Sequence, residues 1–170
     1  KRCEGEWSKL TDPSGAADGI VPGCVGPDGS DPDHRAIDFH GTIDLSGKSF
    51  AKARDLGAED VIAAIDGSGL QGRGGAGFPA AFKWNSVRSQ SDPTRYVVLN
   101  ADEGEPGTFK DREVLLRRPD KVVEGLAIAA WTVGAKDVYC YLRGEFEAPW
   151  QVLKKAIDEK KISITHNIQL

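Results

Sequence analysis

Between Gly69 and Gly77 five of nine residues are glycine, Pro79 closes the run, and Lys83 follows four positions on. Glycine admits positive φ and keeps a Cβ out of a ligand's way. Successive free N–H groups along such a bend form a concave surface that binds phosphate. Pro79 suits the first turn of a helix, where its missing N–H costs nothing. The helix predicted over residues 79–86 aims its N-terminal N–H groups and positive dipole end at the anion, and Lys83 adds a full charge. A phosphate-bearing cofactor is the expected ligand; the loop alone leaves open which one.

Neither common glycine fingerprint fits. A P-loop needs Lys-Ser or Lys-Thr directly after its last glycine, and Phe78-Pro79 stand there instead. A dinucleotide fingerprint follows a strand, whereas the residues before Gly69 have a helical pattern. An RNA-touching Arg-Gly-Gly segment is disfavoured because the triplet occurs once and is flanked by Phe78, Phe82 and Trp84.

The second stretch is Asn100-Ala101-Asp102-Glu103-Gly104-Glu105-Pro106-Gly107-Thr108-Phe109, directly after an apolar run. Three carboxylates within four positions repel one another unless each finds a partner, and the glycines with Pro106 fix the backbone. Amide and carboxylate groups held this way suit a ribose diol or an uncharged, hydrogen-bond-rich ring. Beside a flavin, negative charge opposes the anionic reduced ring and tunes its potential. A divalent metal is the rival use of these acids, but no Asp-x-Asp-x-Asp-Gly loop is present. Asp31, Asp33 and His34 also lack a ligand spacing, and His40 and His166 read as structural or solvent-facing.

These stretches need elements to position them. Residues 1–48 are rich in Gly, Pro, Asp and Ser without a lasting period, which predicts an irregular arm. Residues 49–170 read as an α/β domain. A helix is predicted over 58–66, ending at Gly67, with Glu59 and Asp60 in its first turn. The run Arg95-Tyr96-Val97-Val98-Leu99-Asn100 predicts a strand buried on both faces of a parallel sheet. Helices are predicted over 110–118 and 121–134, divided at Pro119, then a strand over 137–143 and a helix over 145–160. That order predicts a right-handed βαβ unit of an open parallel sheet, with ligands at the carboxyl ends of the strands. Residues 162–170 are left as strand or tail.

Composition narrows the partners. A net charge of −4 and a pI near 5.4 argue against nucleic acid. No apolar stretch is long enough to span a bilayer, so no direct membrane insertion is expected, and no secretory signal opens the chain. Methionine is absent even at position 1, which reads as a processed or fragmentary product. Cys3, Cys24 and Cys140 form no Cys-x-x-Cys pair, so no zinc site or iron–sulfur cluster is expected here. Cys140 reads as a buried hydrophobe, and the compartment as reducing.

Together with Lys83-Trp84, Lys110-Asp111-Arg112 and Tyr141-Leu142-Arg143-Gly144-Glu145-Phe146, the two loops resemble the flavoprotein subunit of respiratory complex I. That subunit has relatives in NAD-reducing hydrogenases and NAD-dependent formate dehydrogenases. The likeness runs from Ala58 to Glu159. It implies an FMN held between the two loops, and NADH stacked on its ring as hydride donor. By this likeness the backbone at Gly72, Arg73 and Gly75, with Lys83, holds FMN through its phosphate. Asn100, Asp102 and Glu103 lie along the ribityl chain and ring. Phe78 stacks on adenine, and Glu105 meets the dinucleotide. No side chain acts as acid or base; positioning at van der Waals range, about 3–3.5 Å, is the protein's task.

Three departures qualify the likeness. Asn85 and Ser86 stand where the family offers a second aromatic after the Lys-Trp pair, and this touches dinucleotide affinity or choice. The family's later glycine- and glutamate-rich loop and its four-cysteine cluster lie outside these residues, and the N-terminal arm has no counterpart. The expectation is therefore an FMN-dependent NADH dehydrogenase subunit that passes electrons to iron–sulfur (4Fe-4S) centres in missing or partner regions of a multisubunit oxidoreductase. It would be a peripheral, cytoplasmic or mitochondrial-matrix component. The alternative is a structural or assembly subunit that keeps the fold without turnover.

Overall fold

A computed structural model describes residues 42–72 and 75–160. Arg73, Gly74, Cys3, Cys24, the Asp31, Asp33 and His34 group, His40 and the undecided segment 162–170 with His166 lie outside the described residues. The chain divides into two units, Lys1–Ile43 and Asp44–Leu170, and the fold below is that of the second. Its elements are α1 (Lys48–Leu56), α2 (Ala58–Gly67), α3 (Ala80–Arg88), β1 (Tyr96–Ala101), α4 (Lys110–Arg117), α5 (Pro119–Val133), β2 (Asp137–Leu142) and α6 (Glu147–Lys160).

Pro119 opens α5 at its first position, and Gly134 closes it in the left-handed conformation at φ 76°; both are the residues that such ends favour. Between them lies an apolar surface broad enough for the helix to pack against every other helix and both strands. Val123, Leu126, Ala127, Ala129 and Val133 are buried along it. The strands flank this helix in sequence and pair in parallel, from Tyr96 opposite Asp137 to Ala101 opposite Leu142. Parallel pairing requires a crossover, and α4 with α5 supplies it.

One sheet face is apolar and covered. Ala101, Val138 and Cys140 join Leu115 of α4, Val123 and Leu126 of α5, and Phe146, Leu153, Ala156 and Ile157 of the α6 region in a single core. Burial pushes the Cys140 thiol up from its ordinary value, consistent with a packing role. The other face corrects the expectation of a strand buried on both sides. Tyr96 is 53% and Val98 59% exposed, and burial alternates along β1. An unbroken apolar run does not reveal its period, so it cannot separate a two-sided strand from a one-sided one. Here the described helices cover only one side.

The helix α1 has no counterpart in the sequence reading, and its construction explains why. Gly47 precedes it without a side-chain cap, and only Ala53 is buried. Its first N–H groups are instead satisfied from afar: Ser49 and Phe50 donate to Glu124 Oε1 of α5, at 2.8 and 3.1 Å. Lys160 Nζ lies 3.9 Å from the same carboxylate, both side chains nearly buried. One turn earlier on α5, Asp120 accepts the Asp44 N–H at 3.1 Å and pairs with Arg118, whose Nη2 lies 3.0 Å from its Oδ2. Two carboxylates four residues apart on one helix thus grip the segment from Asp44 to Phe50.

Asp120 is fully buried. Burial, the largest influence, pushes its carboxyl up. The hydrogen bonds from Arg118 and from the Asp44 N–H, with the Arg118 charge, outweigh it and hold the carboxyl below its ordinary value. The ionised form therefore belongs to the folded state. The stability it lends is complete above the unfolded value of about 3.9 and fades as pH falls through the lower folded value. Asp120→Asn is expected to lower the unfolding free energy at pH 7 by about 3 kcal/mol, the scale of a broken buried pair. In urea melts the gap to the unsubstituted chain should shrink at pH 3; an equal loss at both pH values contradicts this role.

Candidate functional site

The glycine loop is pinched at a neck. Gln71 and Pro79 form an antiparallel bridge, with Gly72 N donating to Phe78 O and Ala80 N to Leu70 O, each at 2.9 Å. Beyond the neck Gly75 and Gly77 have φ of 103° and 61°. Side chains rarely adopt either, and at Gly77 an added Cβ would also press on the Gln71 side chain at 3.4 Å. Pro79 sits one residue earlier than expected: it precedes the first turn of α3, with ψ of 124°. The bridge to Gln71 holds it extended, and its carbonyl still accepts the Lys83 N–H at 3.4 Å. Gly72 and Gly75 lie on the exposed part of this loop.

Phe78 leaves the neck toward solvent and meets Phe82 of α3 with ring centroids 5.5 Å apart at 71°. Lys83 Nζ lies 5.7 Å from the centre of the Phe78 ring. A cation, two exposed aromatic rings and a glycine bend are thus brought together within two turns of chain.

The acidic loop starts where β1 ends. Asn100 Oδ1 accepts the Asp102 N–H at 3.2 Å, bending the chain out of the strand. Glu103 follows with φ of 40°, a conformation that a residue with a side chain holds only when its surroundings insist. They do. Its carboxylate receives the Asp111 and Arg112 N–H groups at 2.7 and 3.2 Å, capping α4 from eight residues away. Its carbonyl accepts Arg143 Nη1 at 2.8 Å. The turn Glu105-Pro106-Gly107-Thr108 is then closed by the Thr108 N–H and hydroxyl on the Glu105 carbonyl, at 3.2 and 2.6 Å, with Gly107 at φ 82°.

Of the three acids only Glu103 is buried; Asp102 and Glu105 are exposed, as is Asn100. The carboxylate of Glu103 is therefore committed to α4, and what it lends the loop is its shape. Arg143, singled out in the sequence only as part of a resemblance, proves to be the residue that joins both strand ends. Its backbone N–H donates to Ala101 O at 3.2 Å, and its guanidinium binds Glu145 as well as the Glu103 carbonyl. The hydrogen bond and charge of Glu145, more than those of nearby Asp102 and Glu103, raise its pKa above the ordinary value. The Glu145 carboxyl is lowered in turn by that bond. Position alone signalled this: Arg143 is the first residue after β2, at the edge where β1 also ends.

Arg95 ties the elements that carry the two loops. Its guanidinium donates to Arg88 O at the end of α3 and Val133 O at the end of α5, both at 2.9 Å. Since α3 packs on α5, the two helices share one end at the start of β1 and begin away from it. No hydrogen bond, ion pair or ring contact joins the glycine loop to the acidic loop among the described residues. Arg73 lies outside them. No three His, Cys, Asp or Glu among the described residues converge as for a metal ion, and none of their helices is long and apolar enough to cross a membrane.

The chain that carries these two loops matches a known family. Residues 65–169 fit the Nuo51 FMN-binding domain, and the chain belongs to that family. Among curated proteins it is 44% identical over 114 residues to an NADH-quinone oxidoreductase subunit of Aquifex aeolicus, covering 67% of this chain and 26% of that one. It is 46% identical over 107 residues to the mitochondrial NADH-ubiquinone oxidoreductase 51 kDa subunit of Neurospora crassa, covering 61% and 22%. The fold matches a chain of the air-oxidized NAD+-reducing [NiFe]-hydrogenase with a TM-score of 0.69 and 38% identity, over 78% of this chain and 23% of that one. The chain thus spans about a quarter of the length of the curated relatives it matches.

The commitment of Glu103 can be tested without any ligand. Glu103→Ala is expected to cost about 1–2 kcal/mol, as for a lost helix cap, and to speed hydrogen exchange at the Asp111 and Arg112 amides about tenfold or more. Unchanged exchange at those two amides would contradict the capping geometry.

Proposed function

We propose that this chain is the FMN-holding part of an NADH-oxidising flavoprotein subunit, which passes electrons to iron–sulfur (4Fe-4S) centres elsewhere in a multisubunit complex. The observation that carries the reading is the pairing of a phosphate-type glycine bend with a rigid acidic loop, on a chain of the Nuo51 FMN-binding family. The donor set suits FMN: backbone N–H groups beside glycines and an ammonium for the phosphate, then an amide and a carboxylate for hydroxyls and ring edges.

When bound, FMN supplies the ring that accepts the hydride of NADH and releases its electrons singly. The residues position it. Gly72, Arg73 and Gly75 offer their backbone and Lys83 its charge to the phosphate. Asn100 and Asp102 face the ribityl chain and ring, while Glu103, with its carboxylate held by α4, keeps their loop in place. Phe78 stacks on the adenine of NADH and Glu105 meets the dinucleotide. We read residues 49–170 as the FMN-binding α/β domain and residues 1–48 as a separate Gly/Pro/Asp-rich segment. Partners are then NADH and iron–sulfur subunits, not nucleic acid, and the place is peripheral, in cytoplasm or mitochondrial matrix. A structural or assembly role without turnover is the second reading.

Flavin absorbance and NADH bleaching separate these readings. Lys83→Ala is expected to weaken FMN about tenfold, the worth of one charge-assisted contact. Glu105→Gln and Phe78→Ala should retain flavin while slowing NADH oxidation. Loss of flavin from both of the latter would contradict the division of roles, and bound flavin that NADH never bleaches would favour the assembly role.

A further inference from the structure

Exposed ion pairs lend a fold little stability, and Arg143 with Glu145 is such a pair, their side chains 37% and 72% exposed. Its geometry is nevertheless exacting. Nε and Nη2 of the guanidinium both donate to the Glu145 carboxylate, which turns Nη1 onto the Glu103 carbonyl at 2.8 Å. A planar guanidinium gripped along one edge has little freedom to swing, and a lysine offers no such fork.

Both ends of this link are anchored. The Arg143 carbonyl accepts the Phe146 N–H at 2.9 Å, the Phe146 carbonyl accepts the Trp150 N–H at 2.9 Å, and the Phe146 side chain is buried. The turn that carries Arg143 and Glu145 is therefore fixed to α6 and to the core. Opposite stands Glu103, whose left-handed φ of 40° needs support from its surroundings. Its carboxylate is taken by α4, so the bond from Arg143 is what steadies the peptide between Glu103 and Gly104. That peptide directly follows Asp102 and sets the path of the loop. The guanidinium also stands in the field of the loop's acids: Glu145 raises its pKa most, and the charges of Asp102 and Glu103 add to the effect.

From this geometry we propose that Arg143 is a positioning residue for the flavin. Aimed by Glu145, its guanidinium locks the Glu103 bend that presents Asn100 and Asp102, and sets positive charge against the carboxylates of that loop. The role rests on the FMN reading above, and deepens it by giving one residue control of both affinity and potential. Negative charge beside a flavin disfavours its anionic reduced form, so the two members of the pair should act in opposite directions on the potential.

The test uses the full chain and reads two quantities: the dissociation constant for oxidised FMN and the midpoint potential of the bound flavin. Arg143→Gln is expected to weaken oxidised FMN about tenfold, the scale of a lost charge-assisted bond. It should weaken reduced FMN about tenfold more, which lowers the two-electron potential by about 30 mV. Glu145→Gln should weaken oxidised FMN about threefold through the freed guanidinium, yet favour the reduced form about threefold, raising the potential by about 15 mV. Arg143→Lys, which keeps the charge without the fork, should lose affinity while the potential stays. The last two variants leave the core untouched, so they read the role even where Arg143→Gln does not fold. Unchanged FMN affinity in the Arg143 variants of a chain that binds FMN would overturn the role and leave the FMN reading standing. Potentials that move the same way in Arg143→Gln and Glu145→Gln would mark a general loosening of the loop and also overturn it. If the unsubstituted chain binds no FMN, the FMN reading falls and the role falls with it.

Discussion

Parallel pairing of two six-residue strands is the constraint on which the rest of this domain depends. Strands that run the same way must be joined by a crossover, so α4 and α5 are forced onto the sheet, and both strands finish at one edge. Ala101 and Arg143 thereby become neighbours although 42 positions separate them. The bond from Arg143 to the Glu103 carbonyl is possible only because of that shared edge. It holds a left-handed glutamate in place, and the glutamate in turn caps α4. Strand pairing, loop shape and helix start are thus linked through one arginine and one glutamate.

The helix α5 plays the matching part within the helical layer. It contacts every element, and its buried Asp120 and Glu124 satisfy backbone donors that would otherwise lack partners at the start of the domain. Buried carboxylates are costly unless fully bonded, and these two are bonded by the segment they hold. Position follows: α3, and with it the glycine loop and Lys83, reaches α5 through packing and through the guanidinium of Arg95.

How far all this could be read from sequence depends on whether the cause was local. The glycine spacing, the Pro119 break, the 3.6-residue period of α5 and α6 and the apolar run of β2 act within a few residues, and they place their elements to within two positions. The family was legible too, because two long motifs coincide on one chain. What stayed hidden was non-local. Nothing within α1 announces it, since its cap is a glutamate 75 positions away. The bare face of β1 depends on which side the helices choose. That the Glu103 carboxylate caps α4 needs the fold to be seen, since the amides it accepts lie eight and nine residues on. Arg143 went without a role for the same reason.

We propose that the two loops, built separately, close on a single FMN. The most direct measurement is an amide chemical-shift titration of the chain with FMN. Gly72 and Gly75 in one loop, and Asn100 and Asp102 in the other, should shift together along one saturation curve. Shifts confined to a single loop, or two curves with separate midpoints, would contradict it.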